Sequence, residues 1–232
     1  MYITQVVSSP ERFFIKIAHR GASAYEPENT LRSFRKAIEL GTDMVEFDVR
    51  KSLDGRLVVI HDRGVDRTTD GKGLVGLKSL DELKELDAGM GEKIPTLEEA
   101  IESAAGKTKF VIELKEDMLE ERVIKVIRDY GVMDDVFIVS FKSVRLRAVK
   151  ELERGLKTGL ILVASADPLR TAKECGADAV APFRWFITRG LAERARDAGM
   201  LLFTWTVDVR HSAERLREIG VSGIVTNKPD LL

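Results

Sequence analysis

Two groups of ionisable residues stand where they could act together on a phosphate ester. His19 and Arg20 follow the apolar run 14–18, and Glu46 and Asp48 follow the run 43–45. The carboxyl ends of parallel strands are where α/β folds build their active sites. Because Glu46 and Asp48 are two residues apart, both carboxylates point to one side of a strand and need a cation such as Mg²⁺ or Ca²⁺. Beside such a cation, a histidine and an arginine suit phosphate-ester cleavage.

Three further residues extend this predicted site. Glu113 ends the run 110–112 and supplies a third carboxylate, while Lys115 lies two residues later on the same strand face. His61 ends another apolar run. Structural ion pairs with Arg20, Arg50 or Lys115 are the alternative explanation for the carboxylates. The two histidines at neighbouring strand ends favour a metal site, because such groups cluster at functional sites.

The residue types assign provisional roles. His19 and His61 are the candidates for acid–base catalysis, since histidine gains and loses a proton near neutral pH. His211 lies in a polar helix start and is predicted to be inert. Arg20 and Lys115 can bind phosphoryl oxygens or neutralise the carboxylates, and both roles are compatible.

Two other residues are weaker candidates for substrate binding. Trp205 ends the run 201–204, where it is expected either in a pocket wall or in the core. Glu28 is either a site residue on the first loop or an acid that favours a helix start. Its neighbour Asn29 is the predicted cap of that helix.

Alternating strand and helix patterns provide the elements that must position these residues. The predicted strands are 14–18, 44–49, 57–61, 110–114, 136–140, 156–163, 179–181, 201–206 and 223–225. The predicted helices are 30–40, 96–104, 119–130, 143–154, 167–175, 188–198 and 212–219. Residues 96–99 form a capping box. Left-handed glycines are expected after helices at Gly131, Gly155, Gly176, Gly199 and Gly220.

This alternation predicts an α/β fold, a (β/α)₈ TIM barrel that occupies residues 1–232 as one domain. Strands 44–49 and 57–61 have no helix between them, and Asp54-Gly55 is a hairpin signal. The second of these strands is therefore a β-hairpin extension after barrel strand 2, which carries His61 back toward Asp48. The segment 63–93 is predicted to be a small insertion at the rim.

Composition narrows the class of protein. The net charge of −1 argues against nucleic acid as a partner, because few basic residues are free to pair with phosphates. The single Cys175, the absence of a signal-peptide pattern and the absence of an apolar span predict a cytoplasmic protein. Gln5, Asn29 and Asn227 are the only side-chain amides, while 32% of residues are charged. That is the composition of a thermophile.

Together these motifs resemble the glycerophosphodiester phosphodiesterase family over nearly the whole chain. The resemblance rests on the order of His19-Arg20-Gly21, Pro27-Glu28-Asn29-Thr30, Glu46-Phe47-Asp48-Val49, Val59-Ile60-His61-Asp62, Asp66-Arg67-Thr68-Thr69, Ile94-Pro95-Thr96-Leu97, Glu113-Leu114-Lys115, Trp205-Thr206-Val207 and Thr226-Asn227-Lys228-Pro229.

The resemblance implies one divalent cation, Mg²⁺ or Ca²⁺, held by Glu46, Asp48 and Glu113, with His19 and His61 as acid and base. It also implies hydrolysis of small-molecule glycerophosphodiesters to glycerol 3-phosphate and an alcohol, for which we expect a cyclic phosphate intermediate. Asp208 and Asn227 stand where many family members have Asn and Asp. The short insertion implies an open-mouthed site for small soluble substrates.

Three alternatives differ in chemistry. A lysophospholipase D-type phosphodiesterase would need a long apolar groove, for which Leu74, Val75, Leu77 and Met90 offer modest material. A barrel aldolase or isomerase would need a Schiff-base lysine or an enolising base. A non-catalytic phosphate-binding module would be expected to lack part of the histidine and carboxylate set. The sequence favours neither a monomer nor a homo-oligomer.

Overall fold

The computed structural model describes residues 14–231, and its centre is a closed barrel of eight parallel strands. The first strand pairs with both the second and the last, which closes the sheet. The TIM barrel expected from the sequence is thereby confirmed. The barrel strands are β1 Ile15–His19, β2 Met44–Lys51, β4 Lys109–Leu114, β5 Val136–Ser140, β6 Lys157–Leu162, β7 Ala179–Pro182, β8 Leu201–Thr204 and β9 Gly223–Thr226.

Helices surround the barrel and bury the outward side of each strand. Along β2, Val45, Phe47 and Val49 point outward into the main hydrophobic core, so the intervening Glu46 and Asp48 point into the barrel. The strand is buried on both sides, as parallel strands are. The helices are α1 Leu31–Glu39, α2 Leu80–Glu85, α3 Leu97–Ala104, α4 Glu120–Asp129, α5 Ser143–Leu152, α6 Pro168–Glu174, α7 Arg189–Asp197 and α8 Arg210–Ile219.

One further strand, β3 (Leu57–Val59), lies outside the barrel and pairs antiparallel with the end of β2. The turn between them contains Gly55 with a φ of 80°, as the hairpin signal predicts. The backbone N–H of Ile60 donates to the carbonyl of Asp48 at 2.9 Å. This pairing brings His61 to the level of Asp48.

The segment 63–93 contains a 3₁₀ turn at Val75–Leu77 and the helix α2. It has a small hydrophobic cluster in which Val65, Val75 and Leu83 pack with Ile60. The insertion is thus held against the hairpin that carries His61.

Two local predictions are wrong. Helix α1 is capped by Thr30, whose Oγ1 accepts from the Ser33 N–H, and not by Asn29. Asn29 instead has a φ of 58° and turns its amide toward the barrel. Gly155 is not left-handed, because α5 ends at Leu152 with Glu153 in an extended cap. The capping box at Thr96 and the other four left-handed glycines are as predicted.

Candidate active site

Three carboxylates converge at the carboxyl end of two adjacent strands. Glu46 and Asp48 lie on β2 and Glu113 lies on β4, opposite Asp48 in the strand register. One oxygen from each lies within 4.8 Å of the others. All three residues are buried.

Ionisation of this acidic triad (Glu46, Asp48 and Glu113) is unequal. Burial and the charges of Asp48 and Glu113 raise the pKa of Glu46 well above its ordinary value. Burial and Asp48 also raise the pKa of Glu113, to about 7. Burial opposes ionisation of Asp48 too, but Lys115, Arg20 and His61 outweigh it and lower the pKa of Asp48.

The donor set of the triad fits a hard divalent cation. Lys115 Nζ lies 2.8 Å from Glu113 Oε1 and 3.4 Å from Asp48 Oδ1, and Arg20 Nε lies 3.3 Å from Asp48 Oδ2. Two side-chain cations therefore face three carboxylates, and burial together with the unbalanced charge raises the pKa values of both glutamates. Oxygen ligands with excess negative charge are what Mg²⁺ and Ca²⁺ bind.

The loop after β1 wraps around the triad in an unusual backbone conformation. Arg20 has a φ of 57° and donates its backbone N–H to Glu46 Oε2 at 2.9 Å. Gly21 follows with a φ of 80°, and a Cβ there would lie 2.3 Å from Ser33 Oγ. Asn29 at the end of the loop donates from Nδ2 to Asp48 Oδ2 at 2.9 Å. Residues other than glycine that adopt a left-handed conformation cluster at functional sites, where the surrounding structure holds them in it.

His19 ends β1 and is oriented from the last strand. Its Nδ1 lies 2.8 Å from Asn227 Oδ1, just beyond β9. Burial and the adjacent Arg20 charge lower the pKa of His19, so the neutral imidazole is favoured near pH 7.

His61 is oriented by its neighbour. Its Nδ1 lies 2.6 Å from Asp62 Oδ1. Arg67 binds Asp62 from Nε at 2.7 Å and Glu28 from Nη1 at 2.7 Å. Glu28 in turn accepts from Arg20 Nη1 at 2.8 Å. This chain of charged contacts links the insertion to both ends of the site.

A cavity of about 210 Å³ joins these groups. Trp205 forms part of its apolar wall, where the ring packs 5.5 Å from Phe141 and Nε1 donates to the Ala181 carbonyl at 2.9 Å. Lys115 Nζ lies 5.9 Å from the centre of the Phe141 ring. The cavity is therefore charged on one side and aromatic on the other. The predicted site residues that line it are His19, Arg20, Glu46, His61, Glu113, Lys115 and Trp205.

The structure thus brings every predicted site residue to one place. Glu28 acts there through Arg20 and Arg67 and lies before the Thr30 cap, outside the first turn of α1. His211 is exposed at the start of α8, away from the cavity lining.

Sequence reasoning missed the roles of Asn29, Asn227 and Arg67. A signal for two of them was present: the chain has only two asparagines, and both contact the site. No such signal marks Arg67, whose position depends on the path of the insertion.

The chain matches the glycerophosphoryl diester phosphodiesterase family over residues 19–231. A glycerophosphodiester phosphodiesterase of Caldanaerobacter subterraneus subsp. tengcongensis is 42% identical over 230 residues, covering 93% of this chain and 95% of the relative. A glycerophosphodiester phosphodiesterase of Bacillus subtilis is 32% identical over 253 residues, covering 96% of this chain and 86% of the relative.

Solved structures agree with the sequence relatives. A phosphodiesterase of Oleispira antarctica, in complex with the product sn-glycerol-3-phosphate, superposes with a TM-score of 0.88 at 31% identity, over 93% of this chain and 94% of that one. A glycerophosphodiester phosphodiesterase of Agrobacterium tumefaciens gives a TM-score of 0.86 at 30% identity, over 94% and 98% of the two chains. The chain belongs to the glycerophosphoryl diester phosphodiesterase family.

Proposed function

We propose that the protein hydrolyses small glycerophosphodiesters to glycerol 3-phosphate and an alcohol, with one divalent cation, Mg²⁺ or Ca²⁺. The observation that carries this proposal is the buried acidic triad with a histidine anchored on either side of it. The product bound by the Oleispira antarctica relative supports the choice of substrate.

Glu46, Asp48 and Glu113 are the residues that hold the cation in this proposal. When bound, the cation supplies Lewis acidity at a phosphoryl oxygen and lowers the pKa of a nearby hydroxyl. Arg20 and Lys115, which flank Asp48, balance the charge that develops on the phosphoryl oxygens.

The two histidines move the protons. One removes the proton from the glycerol hydroxyl next to the ester, and that oxygen attacks phosphorus. The other protonates the alcohol oxygen as its bond to phosphorus breaks, which leaves a cyclic phosphate. Water then opens the ring with the two histidine roles exchanged. Trp205 and Phe141 provide the apolar wall against which the carbon chain of the glycerol lies.

The decisive assay measures glycerol 3-phosphate released from glycerophosphocholine with and without a chelator. We expect the chelator to abolish activity and added Mg²⁺ or Ca²⁺ to restore it. His19→Ala and His61→Ala should each reduce kcat by about 100-fold or more. His211→Ala is the matched control and should keep full activity, because His211 is exposed on α8. Activity that persists without metal, or in both active-site variants, would contradict the mechanism.

A panel of head groups separates this proposal from a lysophospholipase D-type activity. Faster cleavage of lysophosphatidylcholine than of glycerophosphocholine would favour that alternative. Of the apolar residues in the insertion, Val75 is buried, whereas Leu74, Leu77 and Met90 are exposed.

We place the activity in the cytoplasm, because the single Cys175 is a free, buried thiol. Within residues 14–231, no helix is both long and apolar enough to cross a membrane.

A further inference from the structure

Asn227 lies between His19 and a carboxylate outside the cavity. Asp208, which follows β8, accepts the Asn227 backbone N–H at 2.7 Å and the Asn227 Nδ2 at 2.6 Å. The Asn227 Oδ1 faces the other way, toward His19 Nδ1 at 2.8 Å and Ser23 Oγ at 2.8 Å. The amide is therefore fixed on both of its ends.

The hydrogen-bond donors and acceptors of Asp208, Asn227 and His19 allow one arrangement. An ionised carboxylate only accepts hydrogen bonds, so the NH₂ group of Asn227 faces Asp208 and the amide oxygen faces His19. An amide oxygen also only accepts, so His19 Nδ1 must carry a proton. The neutral ring consequently keeps its lone pair on Nε2, the nitrogen left available for substrate.

We propose that Asp208 and Asn227 are positioning residues that hold His19 in the Nδ1–H tautomer, which leaves Nε2 as the nitrogen that exchanges a proton with the substrate. This assignment rests on the proposed function. The proton that His19 exchanges with the substrate then passes through Nε2, while the Nδ1–H bond to Asn227 remains.

An amide, unlike a carboxylate, orients the ring without adding a charge. The charged groups that face His19 are Arg20 and Glu28 from the first loop and Asp48 from β2, and Glu46 is its register partner on β2. The Asp208 carboxylate is linked to His19 only through the Asn227 amide that lies between them. A carboxylate in direct contact would raise the pKa of His19, whereas the neutral amide orients the ring without that effect.

The tautomer can be measured without any turnover. The chain has three histidines, so a long-range ¹H–¹⁵N spectrum of the ¹⁵N-labelled, metal-free protein contains three ring systems. The His19 signals are those that disappear in His19→Gln. We expect a protonated Nδ1 and an unprotonated Nε2 for neutral His19. An Nε2–H tautomer would overturn the proposal, whether or not the protein hydrolyses glycerophosphodiesters.

Variants test the consequence for catalysis. Asn227→Leu removes the acceptor at similar volume, so we expect the Nδ1–H tautomer to lose its excess and kcat to fall about 10- to 100-fold with little change in KM. The double exchange D208N/N227D restores a donor facing an acceptor. It should recover most of the lost kcat, with the acidic limb of the pH profile moved to higher pH because a carboxylate now contacts His19.

Tyr25→Phe is the matched control. It removes the 2.7 Å hydrogen bond to Asp230, which joins the same two loops at an exposed position. We expect unchanged kcat and an unchanged His19 spectrum. Equal losses of kcat in Tyr25→Phe and Asn227→Leu would show that only the contact between the two loops matters, and would overturn the proposal. A kcat of D208N/N227D no higher than that of Asn227→Leu would also overturn it.

Discussion

At the scale of single residues, charge balance explains the site best. Three buried carboxylates face Arg20 and Lys115, and burial together with the remaining negative charge raises the pKa values of Glu46 and Glu113. The divalent cation that we propose for this site would compete with protons for the same oxygens. Proton binding and metal binding should therefore oppose one another.

This competition gives a pH prediction for the metal-free protein. The pKa of Glu113 rises from 4.5 to about 7 on folding, so the native state binds more protons than the unfolded state between those values. The free energy of unfolding should then fall as pH rises through this window. Asp48, with its lowered pKa, contributes the opposite slope at lower pH. Thermal unfolding from pH 5 to 8 measures the effect. Glu113→Gln should make the free energy of unfolding depend less on pH above pH 5.

Asn29 and Thr30 allow the site and the helix to be tested separately. Asn29→Gly keeps the left-handed backbone but removes both side-chain hydrogen bonds to Asp48, so cation affinity should fall about 10- to 100-fold. Thr30→Ala removes the cap of α1 and should lower the free energy of unfolding by about 1 kcal/mol while cation affinity stays the same. Calorimetric titration with Mg²⁺ and chemical denaturation distinguish the two. Equal cation affinities in both variants would contradict the assignment.

At the scale of elements, strand periodicity does most of the positioning. The two-residue spacing places Glu46 with Asp48, and Glu113 with Lys115, before any tertiary contact is considered. The barrel adds only the register between β2 and β4. For this reason the convergence of the three carboxylates was predictable from the sequence.

Other contacts depend on backbone conformation that no periodicity encodes. Asn29 reaches Asp48 because three left-handed residues, Arg20, Gly21 and Asn29, turn the first loop inward, whereas the sequence pattern indicated a helix cap. Arg67 reaches Glu28 across 39 residues of chain, through an insertion without a repeating pattern. The sequence therefore predicted the acidic triad and the barrel, and it missed the residues that contact and orient the triad and the histidines.

Closure between the first and last strands depends on a glycine. A Cβ at Gly223 would lie 2.2 Å from the carbonyl oxygen of Ile15, so Gly223→Ala should push β9 from β1 and lower the free energy of unfolding by about 1–3 kcal/mol. The same displacement should weaken the His19–Asn227 contact and reduce kcat.

Gly190→Ala is the matched control for this prediction. Gly190 lies in α7, and among residues 14–231 no neighbouring side chain comes within 4 Å of the place that an alanine Cβ would occupy. Alanine should therefore stabilise the helix by roughly 0.5 kcal/mol. Denaturant unfolding compares the two variants. If Gly190→Ala lowered the free energy of unfolding as much as Gly223→Ala does, the steric explanation would be refuted.

At the scale of the whole molecule, surface ion pairs accompany the amide-poor composition. Arg170 and Glu174 pair at 2.8 Å along α6, and Arg128 of α4 reaches Glu153 at 2.6 Å after α5. Isolated surface pairs contribute little at 25 °C, but their cost of desolvation falls as temperature rises. On the basis of this composition and these ion pairs, we propose that the protein is adapted to heat.

We therefore expect a midpoint of thermal unfolding above about 70 °C, beyond the usual range of mesophilic domains. Scanning calorimetry of the metal-loaded protein measures it. High salt should lower the midpoint modestly, since exposed pairs are screened. A midpoint of about 55 °C would remove the thermophile interpretation.

The hydrogen bond between His19 and Asn227 spans 208 residues of chain. During synthesis on a ribosome, both histidines and the whole acidic triad emerge in the first half of the chain, long before β9 exists to pair with β1. A nascent chain can therefore carry every charged group of the site while His19 still lacks its partner. Catalytic competence should therefore arrive only after β9 and Asn227 have been synthesised and have paired with β1 and His19.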